Sequence, residues 1–340
     1  MAIRLENTSW RFTDHREWRD HLRSWPPVIV SCAITGGLQG KEVNPNLPES
    51  PQEQADSTYG AYKAGASAVH IHARDPETNY ATGAPSGEQY YKVNKLIREQ
   101  SPDIIINDTC GTVMSYEKQE DFDKYYEEIK TELSTFDVGA LFMRQRRKAR
   151  ADVKGKIVDK AIKGSGVAEG QTTEFEMLLP LGWEFCKKLA TAQKKYGVKP
   201  EFEVFSMSSW WFVDYVLYEL QMAEPPYWCQ LVFGQEGACS PPDPMSAMEM
   251  INNMPPKSLF STIGIGPLQL PIISLGLILG GHIRVGMEDN VYYRRGELAK
   301  SNQQLVERAV RMCHELNREV ATPAQAREML GISQTPTKYS

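Results

Sequence analysis

Short apolar runs rich in β-branched residues alternate with longer amphipathic segments eight times along this chain, and that alternation limits the fold more than any other feature. The runs are Val28–Ile34, Ser67–Arg74, Ile104–Thr109, Thr135–Phe142, Glu201–Phe205, Trp228–Phe233, Leu259–Ile265 and His282–Gly286. Helices are predicted between them at about 50–66, 87–100, 115–133, 174–196, 210–222, 244–253 and 270–279, with a closing helix near 301–320. Ser50 and Glu53 have the spacing of a capping box at the first of these. Strict strand–helix alternation places parallel strands inside and helices outside. Eight units of this size fit a closed (β/α)8 barrel, the TIM-barrel architecture. A doubly wound open sheet is the competing fold, but it expects a GxGxxG turn after its first strand. The turn present is Thr35-Gly36-Gly37-Leu38-Gln39-Gly40, which lacks that spacing. The expected organisation is an N-terminal extension over 1–27 and a barrel over 28–321. A loop insertion is expected near 144–173, and a C-terminal helix and tail over 322–340.

The 340 residues are 41% hydrophobic and carry a net charge of −5, so bulk electrostatics give nucleic acid and anionic membrane no hold. The N-terminus has no apolar core of a signal peptide, and Leu268–Leu279 is too short to span a bilayer and contains Pro271. The six cysteines are scattered without a CxxC pair, which suits reduced thiols in a cytoplasmic protein. The basic cluster Arg144, Arg146, Arg147, Lys148 and Arg150 reads as a solvated loop.

His70-Ile71-His72 is the sharpest local signal. Residues two apart in a strand share a face, so both imidazoles point into the barrel near the strand's C-terminal end. Barrel active sites form at that end. Two side-by-side imidazoles are a natural grip on zinc and are hard to satisfy as bare core groups. Arg74 shares their face. In the last run, His282, Arg284, Gly286 and Glu288 share the inward parity, while Ile283, Val285 and Met287 face the helices. The first strand of a closed barrel is flanked by the second and the eighth, so Glu288 can reach a metal held by His70 and His72. A buried Arg284 needs a carboxylate partner, and Asp289 stands at the rim. His282 lies deep and reads as structural. Asn107, Thr109 and Thr135 are further inward candidates. Glu203, inside an apolar strand, is a carboxylate that needs a reason. Trp210 and Trp211 follow the fifth strand and can wall a pocket, one use being a cage for a quaternary ammonium.

These stretches together resemble the β-keto acid cleavage enzyme family. The resemblance is carried by AITGG at Ala33, PNLPESPQEQA from Pro45, AGASAVHIHARDP from Ala64 and IIIND from Ile104. EFEVF from Glu201, GIG at Gly264 and GGHIRVGMEDN from Gly280 complete it, over residues 28–332. It implies a homo-oligomeric barrel, dimer or tetramer, with Zn2+ on His70, His72 and Glu288. It further implies Asp289 as acid/base oriented by Arg284, Thr109 and Thr135 on the substrate carboxylate, and Glu203 in the site. The implied partners are a small β-keto acid and acetyl-CoA as co-substrate, exchanged to acetoacetate and a new acyl-CoA. The chain departs from the family's founding enzyme in two places. That enzyme has a glutamate where Leu38 or Gln39 falls, and an arginine where Pro267 follows Gly264-Ile265-Gly266. The alternative function is a zinc-dependent hydrolase of a small carboxylate or amide, which would need no CoA. A barrel that binds metal or ligand without catalysis is the third reading.

Overall fold

The computed structural model describes residues 24–80, 86–152, 154–159 and 162–339, together with Arg16, Arg19 and Asp20. Most of the N-terminal extension lies outside the described residues. Eight parallel strands close a barrel. They are β1 (Val30–Ala33), β2 (Ala68–Ile71), β3 (Ile105–Asp108), β4 (Leu133–Asp137), β7 (Lys199–Val204), β8 (Tyr227–Phe233), β9 (Ser258–Gly264) and β10 (His282–Val285). Around the barrel the order is β1-β10-β9-β8-β7-β4-β3-β2. The expected TIM-barrel class is therefore the observed one. The outer layer comprises α1 (Pro51–Lys63), α2 (Gly87–Gln100), α3 (Gln119–Ile129), α4 (Trp183–Lys195), α5 (Ser209–Asp214), α6 (Pro244–Asn252), α7 (Gln269–Ile278) and α8 (Asn302–Glu315). Ser50 and Glu53 form the capping box at α1. Among the described residues, no helix is long and apolar enough to cross a membrane.

The interior is layered by parity. Ile29, Ala68, Ile105, Leu133, Trp228 and Leu259 make an apolar floor, and α9 (Pro323–Leu330) closes it from below with Ala326, Met329 and Leu330. His282 belongs to this floor: its Nδ1 accepts from the Ile29 amide at 2.9 Å and its ring lies 5.4 Å from that of Trp228. One step higher the lining turns polar. Glu201 accepts from Asn107 Nδ2 at 2.7 Å, Trp228 Nε1 at 2.5 Å and Gln230 Nε2 at 3.0 Å. A buried carboxyl with three donors is a rigid plug beneath the site.

Two expectations are corrected here. The fourth barrel strand starts at Leu133, not Thr135, and ends at Asp137. The stretch expected as a loop insertion, 144–173, is the far end of an antiparallel ribbon of β5 (Gly139–Lys148) and β6 (Thr172–Leu181), whose strands reach into both of its ends, and the helix expected from Glu174 begins only at Trp183. Arginines on both faces of β5 hide its period of two. Arg144 and Arg146 face solvent and pair with Glu174, whereas Leu141, Met143, Gln145 and Arg147 are buried beneath. The basic cluster is therefore not simply solvated. The ribbon leaves β4, passes the loop after β8 (Arg144 amide to Glu236 carbonyl, 3.2 Å) and reaches the β1 loop (Arg150 Nη1 to Glu49 Oε1, 2.6 Å). It lies across the mouth of the barrel as a strap.

On the outer face of β3, Asp108 is fully buried. Its Oδ2 accepts from Asn94 Nδ2 at 2.7 Å and Oδ1 has no partner. Burial pushes this carboxyl up to about 8. The folded chain then keeps a proton that the unfolded chain releases from about pH 4, so stability falls as pH rises towards 8. Urea unfolding of the wild type from pH 4.5 to 8 should show this fall. Asp108→Asn should make the slope shallower, and an unchanged slope in the variant would contradict the assignment.

Candidate active site

The site forms where β2 and β10 flank β1. His70 and His72 project inward with ring centroids 5.0 Å apart and planes at 76°. Glu288 Oε1 stands 3.6 Å from His70 Nε2 and 3.4 Å from His72 Nε2. One ligand atom from each of the three side chains lies within 4.8 Å of the others. Two observations show that this set fits a divalent cation. His70 Nδ1 and Glu288 Oε2 are buried with no hydrogen-bond partner. Burial also holds His70 well below the usual histidine range, so it is the neutral base a metal requires. Burial works against charge on Glu288, but Arg284 outweighs it and keeps the carboxylate ionised.

Local backbone brings these groups this close. Gly36 has φ +70°, and a Cβ there would sit 2.6 Å from Glu288 Cγ. Gly286 has φ +139°, and a Cβ would meet the Ala33 carbonyl oxygen at 2.0 Å. The AITGG turn and the VGMED turn are therefore packed backbone against side chain, which only glycine permits. The loop carrying Glu288 and Asp289 is pinned from four sides. The Glu288 amide donates to Ala33 O (3.1 Å), Gln39 Nε2 to Met287 O (3.0 Å), and the Gly266 amide to Asp289 O (2.7 Å). The first residue of α8, Asn302, accepts from the Met287 amide at 2.8 Å and donates to Ile34 O at 2.9 Å.

Arg284 is the hub. Nε and Nη2 grip Asp289 at 3.1 and 2.9 Å, Nη1 reaches Glu203 at 3.0 Å, and Nη2 also reaches Glu288 at 2.6 Å. Burial alone would lower the guanidinium, but three carboxylates raise it well above its ordinary value. Asp289 is pushed up to about 6 by burial, with Arg284 pulling the other way. It is mostly ionised at neutral pH and still basic enough to take a proton. Glu203 is raised by burial and by Asp137, its register neighbour across β4 and β7.

The other candidates fall in different places. Thr109 Oγ1 accepts from the Gly111 amide at 3.0 Å and Thr135 Oγ1 from the Cys110 amide at 2.8 Å, so both hydroxyls are fixed near the tops of β3 and β4. Asn107 lies one layer down, with its amide committed to Glu201. Arg74 bonds the backbone of the β1 loop, Nη2 to Thr35 O at 2.9 Å and to Gln39 O at 2.7 Å. Trp210 packs in the main apolar cluster between strands and helices, and Trp211 is 72% exposed. Adjacent helical residues diverge by about 100°, so the two indoles do not form a cage, and Trp210 as a wall of the site is corrected. Sequence reasoning passed over Glu201, Asp137 and Gln39. Glu201 and Asp137 carried a signal, because they share the parity of Glu203 and Thr135.

The fold and these residues define a class: a (β/α)8-barrel enzyme with a candidate metal centre at the C-terminal ends of its strands. The chain belongs to the beta-keto acid cleavage enzyme family, whose model it matches over residues 27–332. It is 32% identical over 308 residues to the 3-keto-5-aminohexanoate cleavage enzyme of Acetoanaerobium sticklandii, covering 90% of this chain and 98% of that one. It is 29% identical over 308 residues to the 3-dehydrocarnitine:acetyl-CoA trimethylamine transferase of Rhizobium meliloti, covering 90% and 97%. Among solved structures, the ternary complex of ObcA with a C4-CoA adduct and oxalate superposes with a TM-score of 0.61 at 17% identity, covering 84% of this chain and 68% of that one. This last likeness concerns the fold.

Replacing either imidazole removes one of the three donors of the set. His70→Ala and His72→Ala should each lower zinc affinity at least about 100-fold with the far-ultraviolet circular dichroism of the wild type, measured by competition with a chromophoric chelator. Wild-type affinity in either variant would rule out that ligand.

Proposed function

We propose that the chain is a zinc-dependent acyltransferase that exchanges the acyl part of a β-keto acid with acetyl-CoA. The net reaction is R–CO–CH2–COO− plus CH3–CO–SCoA giving CH3–CO–CH2–COO− plus R–CO–SCoA. The observation that carries this reading is the contact of the His70–His72–Glu288 donor set with the Arg284–Asp289 pair, which puts a cation site and a basic carboxylate side by side. Two nitrogens and one oxygen, leaving room for substrate, suit catalytic zinc, although ligand type alone also admits iron or manganese. A bound ion would act as a Lewis acid on the keto oxygen.

The chain's own residues supply the rest. Thr109, just past the end of β3, and Thr135, inside β4, orient the substrate carboxylate. Asp289 takes a proton from the C2 methylene, and Arg284 keeps its carboxylate aimed. The C2 carbanion attacks the thioester carbonyl of acetyl-CoA and expels the CoA thiolate. That thiolate then attacks the R-bearing carbonyl and breaks its bond to C2. The carbanion released recovers the proton from Asp289 and leaves as acetoacetate. Arg74 and Asn107 act by holding the β1 loop and Glu201. The two named relatives favour this reading over hydrolysis, one being a cleavage enzyme by name and the other a transferase whose name includes acetyl-CoA. His282, the remaining inward imidazole on the later barrel strands, serves the floor. The reading carries with it a cytoplasmic homo-oligomer, dimer or tetramer.

Acetoacetate should form from a β-keto acid only when acetyl-CoA and metal are both present, and a chelator should stop it reversibly. Substrate loss without CoA would point to the hydrolase instead. Asp289→Asn should lower kcat at least about 100-fold while retaining the metal. In the wild type, kcat/KM should rise with pH through about 6 as Asp289 loses its proton. A flat profile between pH 5 and 7 would remove Asp289 as the base.

A further inference from the structure

The polar groups of the site occupy one arc of the barrel. Metal donors stand on and just after β2 and after β10, Thr109 just past β3, Thr135 and Asp137 on β4, and Glu203 on β7. The remaining arc, β8 and β9, is lined differently. Val232 and Ile263 are register partners. They share the inward parity of Gln230 and Ser261 and stand one step above them. Ser261 is level with His282, so Ile263 two residues on is level with Arg284. Val232 and Ile263 form an apolar cluster with Phe205 and with Leu141 and Met143 on the underside of the strap, and Ile265 packs against it. Ile265 leads directly into Gly266, whose amide holds the Asp289 carbonyl. The wall thus begins beside the hub and runs up to the strap, and none of its six side chains carries a charge.

A β-keto acid has three parts to place. With the keto oxygen on the β2/β10 side and the carboxylate on the β3/β4 side, the tail faces β8 and β9. We propose that Val232, Ile263 and Ile265, roofed by Met143, receive the tail of the substrate and select neutral hydrocarbon tails over tails bearing an ammonium or a second carboxylate. This rests on the proposed cleavage reaction. The physical reason is desolvation: a charged tail would lose water against a surface with no counter-ion. The nearby charges do not help. Arg284 is committed to Asp289, Glu203 and Glu288, and those carboxylates bond it in turn, while Asp137 stands on β4, separated from the wall by β7. A flexible hydrocarbon tail meets the opposite case, because each methylene buried there is favourable.

The test is a comparison at matched length with acetyl-CoA and the zinc-loaded protein. The acids are 3-oxohexanoate, 5-amino-3-oxohexanoate and 3-oxoadipate. The neutral acid should exceed both charged acids at least 100-fold in kcat/KM. Ile265→Asp, on the partly exposed end of the wall, should narrow its lead over the ammonium acid at least tenfold, chiefly through KM. Unfolding temperature and zinc content of the variant serve as controls for folding. An equal or higher kcat/KM for either charged acid in the wild type would overturn the proposal. If none of the three turns over, the reaction itself is misread, and the tail is then judged by binding. Calorimetric dissociation constants for the same acids should still favour the neutral one at least tenfold, and equal or reversed affinities would overturn the proposal on that footing.

Discussion

The site depends on one buried cation. Arg284 has 4% of its side chain exposed and bonds three carboxylates at once. An unpaired guanidinium at that depth would cost several kcal/mol, so the carboxylates are needed for the fold to tolerate it. The converse also holds, because Asp289, Glu203 and Glu288 would repel one another without it. Charge-assisted bonds of 2.6–3.1 Å also fix geometry. Glu288 is turned with Oε1 towards the imidazoles, and Asp289 is held bidentate with its backbone tied to Gly266. A group that must act at a chosen atom gains from being held before substrate arrives.

The layers below and above make this possible. The apolar floor, sealed by α9, keeps water out from beneath, and the Glu201 plug separates the floor from the site. Above, the strap of β5 and β6 buries Leu141 and Met143 over the β8–β9 side. Glu288 and His72 retain 16% and 20% side-chain exposure, so the approach to the metal donors stays open on the β1 side, where Leu38 faces solvent. The barrel therefore has a closed apolar side and an open polar one, and a substrate bound across the mouth would span both.

Much of this was legible in the sequence because parity is strict in a strand. His70 and His72, and likewise Arg284 and Gly286, had to share a face, and the closed order of strands had to bring Glu288 to the imidazoles. The hub could be anticipated as an Arg284–carboxylate pair. Its third partner could not, because Glu203 lies 81 residues away in sequence and on the far side of β8 and β9. The strap was misread because arginines occupy both faces of β5, so hydrophobicity alone showed no alternation. Buried Arg147 pairs with Asp159, a partner twelve residues on in a different segment. Trp210 was misplaced for a related reason: two adjacent tryptophans look like one aromatic surface in a sequence but point apart on a helix. The short β4 boundary was blurred because Val138 and the first residues of β5 continue the same apolar run.

The central claim is that His70, His72 and Glu288 hold zinc where it meets the substrate's keto group. Anomalous diffraction from crystals soaked in a slow β-keto acid, collected on both sides of the zinc absorption edge, tests it most directly. The account predicts a single zinc peak within about 2.3 Å of donor atoms from all three side chains, with the keto oxygen on the same ion. No peak there, or a peak held by other residues, would contradict it.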